Sequence, residues 1–117
     1  MQVLVKTDNY IEGGQELQQQ VEAVVEDTLG RFDDWLTRIE VRLKDENSDK
    51  KEGGNDIRCL MEARPEGMQP VVVTENASDV PTAIQACADT LAKVLTKTMD
   101  KKSHHKGQTS YGGDQVI

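Results

Sequence analysis

Residues 15–45 read QELQQQVEAVVEDTLGRFDDWLTRIEVRLKD, and the spacing of the apolar residues changes within this stretch. They first recur at steps of three and four, which places one apolar stripe along a helix. From Arg38 to Asp45 they recur at every second position, as in a strand with one buried and one charged face. Gly30 lies between the two patterns and is expected to end or loosen the helix. The helical stripe consists of Leu17, Val21, Val24, Val25, Thr28, Leu29 and Phe32.

Short β-rich segments flank this stretch on both sides. Gln2–Lys6 (QVLVK) predicts a first strand, and Ile57–Arg64 and Val71–Glu75 predict a third and a fourth. Glu46–Asp56 (ENSDKKEGGND) lacks apolar residues and predicts an exposed connection between the second and third strands. The three-residue set Pro65, Gly67 and Pro70 brackets a turn before the fourth strand.

A second helix is predicted after the fourth strand. Ser78 or Asp79 is a suitable N-cap, and Pro81 is acceptable in the first turn. The sequence after Ser103 has no apolar period, so we expect one domain over residues 1–103 and a flexible tail over residues 104–117. The apolar stripe of this helix consists of Val80, Ile84, Cys87, Ala88, Leu91, Leu95 and Met99.

These elements predict an α+β fold with the order β-α-β-β-β-α. Two amphipathic helices and four strands with one apolar face make a two-layer sandwich, with both helices on one face of the sheet. The first two strands, joined through a helix, are expected to be parallel, and strands two to four to form an antiparallel meander. The residues expected between helices and sheet are Leu17, Val21, Val25, Leu29, Ile84, Leu91 and Leu95.

The sequence contains no pattern typical of an enzyme, a cofactor site or a metal site. It has no glycine-rich phosphate loop, no G-x-S-x-G and no H-E-x-x-H. Cys59 and Cys87 are far apart and are expected to be small buried hydrophobes. His104 and His105 are adjacent, so they point to different sides and are expected to be solvated. No apolar run approaches the ~20 residues that span a bilayer, and no signal peptide is visible, so we expect a cytoplasmic protein.

Charge is distributed unevenly along the chain. The net charge of −7 taken alone argues against nucleic acid as a partner, because affinity for phosphates comes from clustered lysine and arginine. However, residues 1–36 contain eight acidic residues against Lys6 and Arg31, whereas residues 93–106 contain five lysines against Asp100. The distribution therefore predicts an acidic first helix and a basic end to the second helix.

Two sets of basic residues are candidates for contact with RNA phosphates. The first is a row of lysines on the second helix, opposite its apolar stripe. Lys93, Lys97 and Lys101 are spaced one turn apart in this row, and Lys102 and Lys106 follow. Lysines near a helix C-terminus also complement the helix dipole, and the residues alone do not choose between these roles. The second set lies at outward positions of the strands and consists of Arg38, Arg42, Lys44, Arg58 and Arg64. Glu40 and Glu62 are interleaved with these residues, so cross-strand ion pairs explain the pattern equally well.

Two segments resemble the hibernation-promoting factor and ribosome-associated inhibitor (protein Y) family. Val71–Gly107 is similar to the last strand and second helix of that family, and Ile11–Asn47 is similar to its first helix and the strand after it. The latter contains an L-G-R-hydrophobic step at Leu29–Phe32. The likeness in the first segment is carried by Glu75, Asp79, Ala83, Ile84, Asp89, Leu91 and Lys97.

The resemblance implies a fold similar to double-stranded-RNA-binding domains and a role in ribosome hibernation under stress. Such a protein binds rRNA of the small ribosomal subunit between head and body, where messenger and transfer RNA lie, and stops translation without catalysis. The short length matches members without the C-terminal extension that pairs ribosomes. On this resemblance, the two basic sets named above are the expected rRNA contacts.

The acidic first helix departs from the family pattern. Glu22, Glu26, Asp27, Asp33 and Asp34 surround that helix, and anions that face rRNA are repelled. The alternative is a protein-interaction module of the same fold that binds a basic protein, as a regulator of transcription or stress responses would. One continuous positive patch made by the two basic sets favours RNA, whereas a broken surface of mixed sign favours the protein partner.

Overall fold

A computed structural model describes residues 1–46 and 56–107, with side chains described as far as Lys101. This part of the chain forms four strands and two α-helices in the predicted order, so the α+β fold is confirmed. In chain order the elements are β1 (Gln2–Thr7), α1 (Gln15–Leu29), a single 3-10 turn (Gly30–Phe32), β2 (Leu36–Asp45), β3 (Ile57–Pro65), β4 (Val71–Ala77) and α2 (Val80–Gly107).

The strands form one sheet in the spatial order β1-β2-β3-β4. Strands β1 and β2 are parallel, because α1 carries the chain back along the sheet between them. Strands β2, β3 and β4 pair antiparallel with their neighbours, as predicted. Along one row of the sheet, Val5 is paired with Val41, Val41 with Met61, and Met61 with Val73. The buried apolar positions of the strands therefore share one face, while Leu4, Leu60 and Val72 lie on the other face.

Both helices cover this apolar face. Helix α2 lies over β3 and β4, and α1 lies beside α2 and contacts β1. All seven residues predicted to lie between helices and sheet are buried. The strands contribute the other half of the core, chiefly Ile39, Val41, Leu43, Cys59, Met61, Ala63 and Val73. The opposite face of the sheet has no helix over it among the described residues and is called the open face below.

The ends of two elements differ from the prediction. Strand β2 begins at Leu36, two residues before the alternation becomes regular, and its register with β3 shifts between Leu36 and Arg38. Helix α2 continues to Gly107, although its apolar period weakens before Ser103. The predicted tail over residues 104–117 thus begins within this helix; its part beyond Gly107 and most of the predicted 46–56 connection lie outside the described residues. The domain boundary after residue 103 therefore stays a prediction.

Helix α2 is longer than the sheet that it covers. Its 28 residues extend for about 42 Å, whereas the nine residues of β3 span about 30 Å. Among the described side chains of α2, Leu95 is the last that is fully buried, and Met99 packs against the core at partial burial. The C-terminal turns of α2, which contain the basic residues, therefore reach beyond the main apolar contact. None of the helices in the described part of the chain is long and apolar enough to cross a membrane.

A side-chain hydrogen bond determines where α2 begins. The Asp79 carboxylate accepts a hydrogen bond from the Thr82 backbone N–H at 2.8 Å, so Asp79 caps α2. The interactions with Thr82 lower the pKa of Asp79.

Asp8 accepts hydrogen bonds from the backbone N–H groups of Tyr10, Ile11 and Asp45, which ties the end of β1 to the end of β2.

The two cysteines are buried and free, as expected for small core residues. The Cys87 thiol lies 3.3 Å from the Cys59 carbonyl oxygen and donates a hydrogen bond to it. The contact between the two thiols, together with burial, raises the pKa of Cys59. Both cysteines are enclosed where α2 packs on β3, so the pair belongs to the core.

Leu91 is completely buried where α2 meets the sheet, and its removal tests the two-layer core. Leu91→Ala should lower the free energy of unfolding by about 2–5 kcal/mol, because it removes apolar contact and leaves a cavity. Denaturant unfolding monitored by circular dichroism measures this loss. Lys93→Ala, two residues along the same helix and exposed, is the control and should change stability by less than about 0.5 kcal/mol. Equal effects of the two substitutions would contradict the fold.

Candidate nucleic-acid interface

The lysine row lies on the outer side of α2. Lys93 and Lys97 each follow a buried leucine by two residues, a rotation of about 200° that turns them away from the core. Lys93, Lys97 and Lys101 are all exposed. Successive members are about 6 Å apart along the helix axis, since four residues rise at about 1.5 Å each. The row is therefore a straight line of cations at a spacing that suits successive phosphates.

These three lysines are available for a partner. None of them forms an ion pair with another described residue, and the acids on the same side of α2 are Asp89 and Asp100. Lys102 and Lys106 belong to the same helix, as do His104 and His105, but their side chains lie outside the described part. The row thus has the accessibility that contact with phosphates requires.

Arg31 joins this row from a different element. Its Nη2 donates a hydrogen bond to the Thr96 hydroxyl at 2.8 Å, and its guanidinium lies 4.7 Å from the centre of the Phe32 ring. Thr96 is three residues from Lys93 and adjacent to Lys97, so the exposed Arg31 is held beside the lysine row. The charge pattern did not identify Arg31 as a site residue. The only sequence signal was its place in the L-G-R-hydrophobic step.

The basic residues of the strands lie on the open face. They alternate with core residues of β2 and β3, so their side chains point away from the helices. Arg38 is half-buried, and Arg42, Lys44, Arg58 and Arg64 are exposed. The lysine row and the strand residues therefore lie on opposite sides of the sandwich. The idea of one basic surface that continues from the helix onto the sheet is wrong, because the sheet separates the two sets.

Most strand arginines are paired with carboxylates. Arg64 lies 3.3 Å from Glu62, and Arg58 lies 3.4 Å from Glu46. The expected cross-strand ion pairs are present in part: Lys6 of β1 reaches Glu40 of β2, and Arg58 of β3 reaches Glu46 just after β2. Arg38, Arg42 and Arg64 instead pair with a carboxylate two residues away on their own strand. The register places Arg38 opposite Arg64 and Glu40 opposite Glu62, and like charges directly opposite each other destabilise a sheet. The open face is therefore a surface of mixed sign.

Glu40 is the most unusual charged residue in the described part of the chain. Its side chain is only 8% exposed although it lies on the open face. Arg42 Nε donates a hydrogen bond to Glu40 Oε2 at 2.7 Å, and Lys6 Nζ lies 3.7 Å from the same oxygen. Arg38 Nη2 lies 3.9 Å from Oε1. The hydrogen bond from Arg42 outweighs burial and lowers the pKa of Glu40, so the carboxylate is charged at neutral pH.

The helical side of the molecule is divided by charge. Glu22, Glu26 and Asp27 are exposed along α1, while the lysine row is exposed along α2. The two helices touch through polar pairs such as the hydrogen bond from Gln85 to Thr28 at 3.1 Å. An acidic strip and a basic strip therefore run side by side on the same layer. A polyanion that approaches this side meets attraction over α2 and repulsion over α1.

Comparisons with known proteins agree with this fold. The model of a family described as sigma 54 modulation protein / S30EA ribosomal protein matches residues 7–103. The crystal structure of the protein Y N-terminal domain from Thermus thermophilus is 19% identical, with a TM-score of 0.65, over 84% of this chain and 99% of that chain. A ribosomal subunit interface protein from Coxiella burnetii is 12% identical, with a TM-score of 0.64, over 86% of this chain and 99% of that chain. A comparison with curated proteins found no match.

The buried carboxylate on the open face predicts a pH dependence. Glu40→Gln should lower the free energy of unfolding at pH 7 by about 1–2 kcal/mol, since the glutamine amide oxygen carries no charge and accepts a weaker hydrogen bond from Arg42. The folded pKa of Glu40 is lowered from 4.5, so this contribution is complete above pH 4.5 and is lost as the pH falls through the lowered value. Urea unfolding of both proteins between about pH 3 and pH 7 measures the difference. If the difference in unfolding free energy between the two proteins grows as the pH falls, the ion pair between Glu40 and Arg42 is contradicted.

Proposed function

Because the chain belongs to the sigma 54 modulation protein / S30EA ribosomal protein family, we propose that it binds the small ribosomal subunit and keeps idle ribosomes inactive. The observation that carries this proposal is the exposure of Lys93, Lys97 and Lys101, none of which forms an ion pair with a described residue, with Arg31 held beside them. A line of cations on a rigid helix is suited to a phosphate backbone. The domain acts as a non-enzymatic binding factor.

The proposed mechanism is occlusion of the decoding channel. The domain lies between the head and body of the small subunit, where messenger and transfer RNA otherwise bind, so translation stops while the factor is present. Binding energy comes from phosphate contacts that release counterions, and no bond is made or broken. Removal of the factor restores the channel, which makes the inhibition reversible and suits a stress response.

The charge division on the helical side orients the domain in this proposal. The lysine row faces rRNA, and the exposed acids of α1 face away from it. Since α1 and α2 lie side by side, the RNA approaches from the α2 side of the layer. Lys102 and Lys106 extend the contact along the projecting end of the same helix.

A second candidate function is supported by the separation of the two basic sets. The lysine row and the strand arginines lie on opposite sides, and the open face is of mixed sign. This arrangement favours an interaction module in which the acidic side of α1 binds a basic protein. The two candidates differ in which helix is essential, so charge reversal on each helix separates them.

Binding to small subunits should depend strongly on salt. Three phosphate contacts by the lysine row predict a fall in affinity of roughly 20- to 40-fold between about 50 and 200 mM salt. Co-sedimentation of the purified protein with purified small subunits measures this, and an extract programmed with a reporter messenger RNA measures the accompanying inhibition. Binding that is independent of salt, or absent at low salt, would exclude the proposed phosphate contacts.

Charge reversal on α2 should abolish most of the binding. Lys97→Glu combined with Lys101→Glu should weaken co-sedimentation at least about tenfold and leave thermal stability nearly unchanged, because exposed lysines contribute little to folding. The matched control is Glu22→Lys with Glu26→Lys on α1, which should leave binding unchanged or improve it slightly through the long-range field. If the lysine pair can be reversed without effect while the glutamate pair abolishes binding, the partner is a basic protein that contacts α1.

A further inference from the structure

Glu40 is the one charged residue in residues 1–46 and 56–101 that is buried, and it lies on the open face of the sheet. Burial of a carboxylate costs several kcal/mol unless cations compensate for the lost water. Here no helix produces the burial. The carboxylate lies between Leu4 and Glu62 of the neighbouring strands, and the cationic groups of Lys6, Arg38 and Arg42 are within 3.9 Å of its oxygens. The sequence thus places an anion underneath three cations on a surface that is otherwise open.

The three cations exceed what one carboxylate neutralises. Lys6, Arg38 and Arg42 carry three positive charges against the single negative charge of Glu40, which leaves a local excess of two. Elsewhere on this face, Arg64 and Arg58 are each matched by their own carboxylate, and Lys44 lies near Asp8. The excess positive charge of the open face is therefore concentrated around Glu40.

The positive groups point outward and the negative group lies below them. The side chains of Lys6 and Arg42 are 61% and 58% exposed, against 8% for Glu40. Arg42 binds Glu40 through Nε. This leaves its two terminal amino groups for a second partner, because a guanidinium presents five N–H donors in a fixed plane. An anchored guanidinium with free outer donors suits the oxygens of a phosphate group.

We propose that Lys6, Arg38 and Arg42, positioned by Glu40, form a binding site for backbone phosphates of RNA on the open face. Glu40 is a positioning residue in this site, since it fixes the cations and does not itself touch the RNA. The identification of the phosphates as those of ribosomal RNA rests on the proposed function. The site itself rests only on the geometry around Glu40.

The location of this site implies a second RNA contact. The lysine row lies on the helical side of the sandwich and the Glu40 site lies on the opposite side, so one RNA helix cannot contact both at once. The domain therefore binds between two separate RNA segments. Contacts on both sides give a higher affinity than either contact alone, because the second contact forms within a complex that the first contact already holds together.

The decisive comparison is between two carboxylates on the same face. Glu40→Gln and Glu62→Gln raise the net charge by the same amount, but only Glu40 contacts the three cations, while Glu62 pairs with Arg64. Glu40→Gln should weaken binding to small subunits by about fivefold or more, since the cations lose their fixed positions. Glu62→Gln should leave binding unchanged or tighten it. Long-range electrostatics alone predicts tighter binding for both variants, so unchanged or tighter binding of Glu40→Gln overturns the proposal.

A second pair of variants applies if Glu40→Gln does not fold. Lys6→Gln and Lys44→Gln each remove one exposed lysine from the open face, but Lys44 lies outside the Glu40 site. Lys6→Gln should weaken binding at least about threefold more than Lys44→Gln, because it removes a positioned phosphate contact. Equal effects of the two substitutions overturn the proposal.

Spectroscopy tests the site independently of ribosomes. The side-chain Nε–H signals of Arg38 and Arg42 are followed in the intact protein during titration with a ten-nucleotide uridine RNA, inorganic phosphate and polyglutamate. RNA should shift the Arg42 signal at lower concentration than phosphate, and Glu40→Gln should abolish the shift. If the protein fails to bind small subunits but the RNA shift is present, the proposed function fails and the site stands. A shift with polyglutamate and none with RNA overturns the site.

Discussion

The packing of both helices on one face of the sheet is the constraint on which the rest of this structure depends. Ile39, Val41 and Met61 are fully buried because α1 and α2 cover their face. Each apolar side chain removed from water in this layer contributes about 1.5–3 kcal/mol. No second helical layer covers the other face in the described part of the chain. Side chains on that face are therefore mostly polar, although Val72 is exposed there.

The open face is covered largely by charged side chains, and the strand register places like charges opposite each other. Glu40 lies opposite Glu62 and Arg38 lies opposite Arg64, so pairing straight across the strands brings like charges together. The chain resolves this conflict with pairs along the strands and with the three cations around Glu40. The cations that compensate for the buried carboxylate are the same ones that give the face its excess positive charge. In the proposed site, stability and anion binding are thus coupled at one residue.

The two layers also determine how an acidic chain can present cations to RNA, as we propose. The net charge is −7, but Glu22, Glu26 and Asp27 are exposed along α1, whereas Lys93, Lys97 and Lys101, which form no ion pair with a described residue, are exposed along α2. A surface interaction with phosphates is governed by charges within about 10 Å of them at moderate salt. The local excess of positive charge on α2 and around Glu40 therefore matters more than the total. The acidic and basic strips lie on the helical layer, whereas the Glu40 site lies on the open face of the sheet.

Most of the fold was predictable from the sequence because the decisive information is local. The change from a helical to an alternating apolar period at residues 15–45 determines element type, and the same period determines which side chains are buried, such as Val21 and Leu91. The outward direction of Arg42 and Arg64 follows from alternation alone. Element ends were less well predicted, because Leu36 joins β2 through an irregular register and α2 continues after its apolar period has weakened.

The sequence by itself therefore determined the elements, their apolar faces and the two basic sets. Only the tertiary structure decided that these sets lie on opposite sides, that Arg31 lies against Thr96, and that Lys6 joins the cations around Glu40. The physical reason is the range of the interactions. A periodic pattern is set by neighbours within one element, whereas strand register and the stacking of layers depend on residues far apart in the chain.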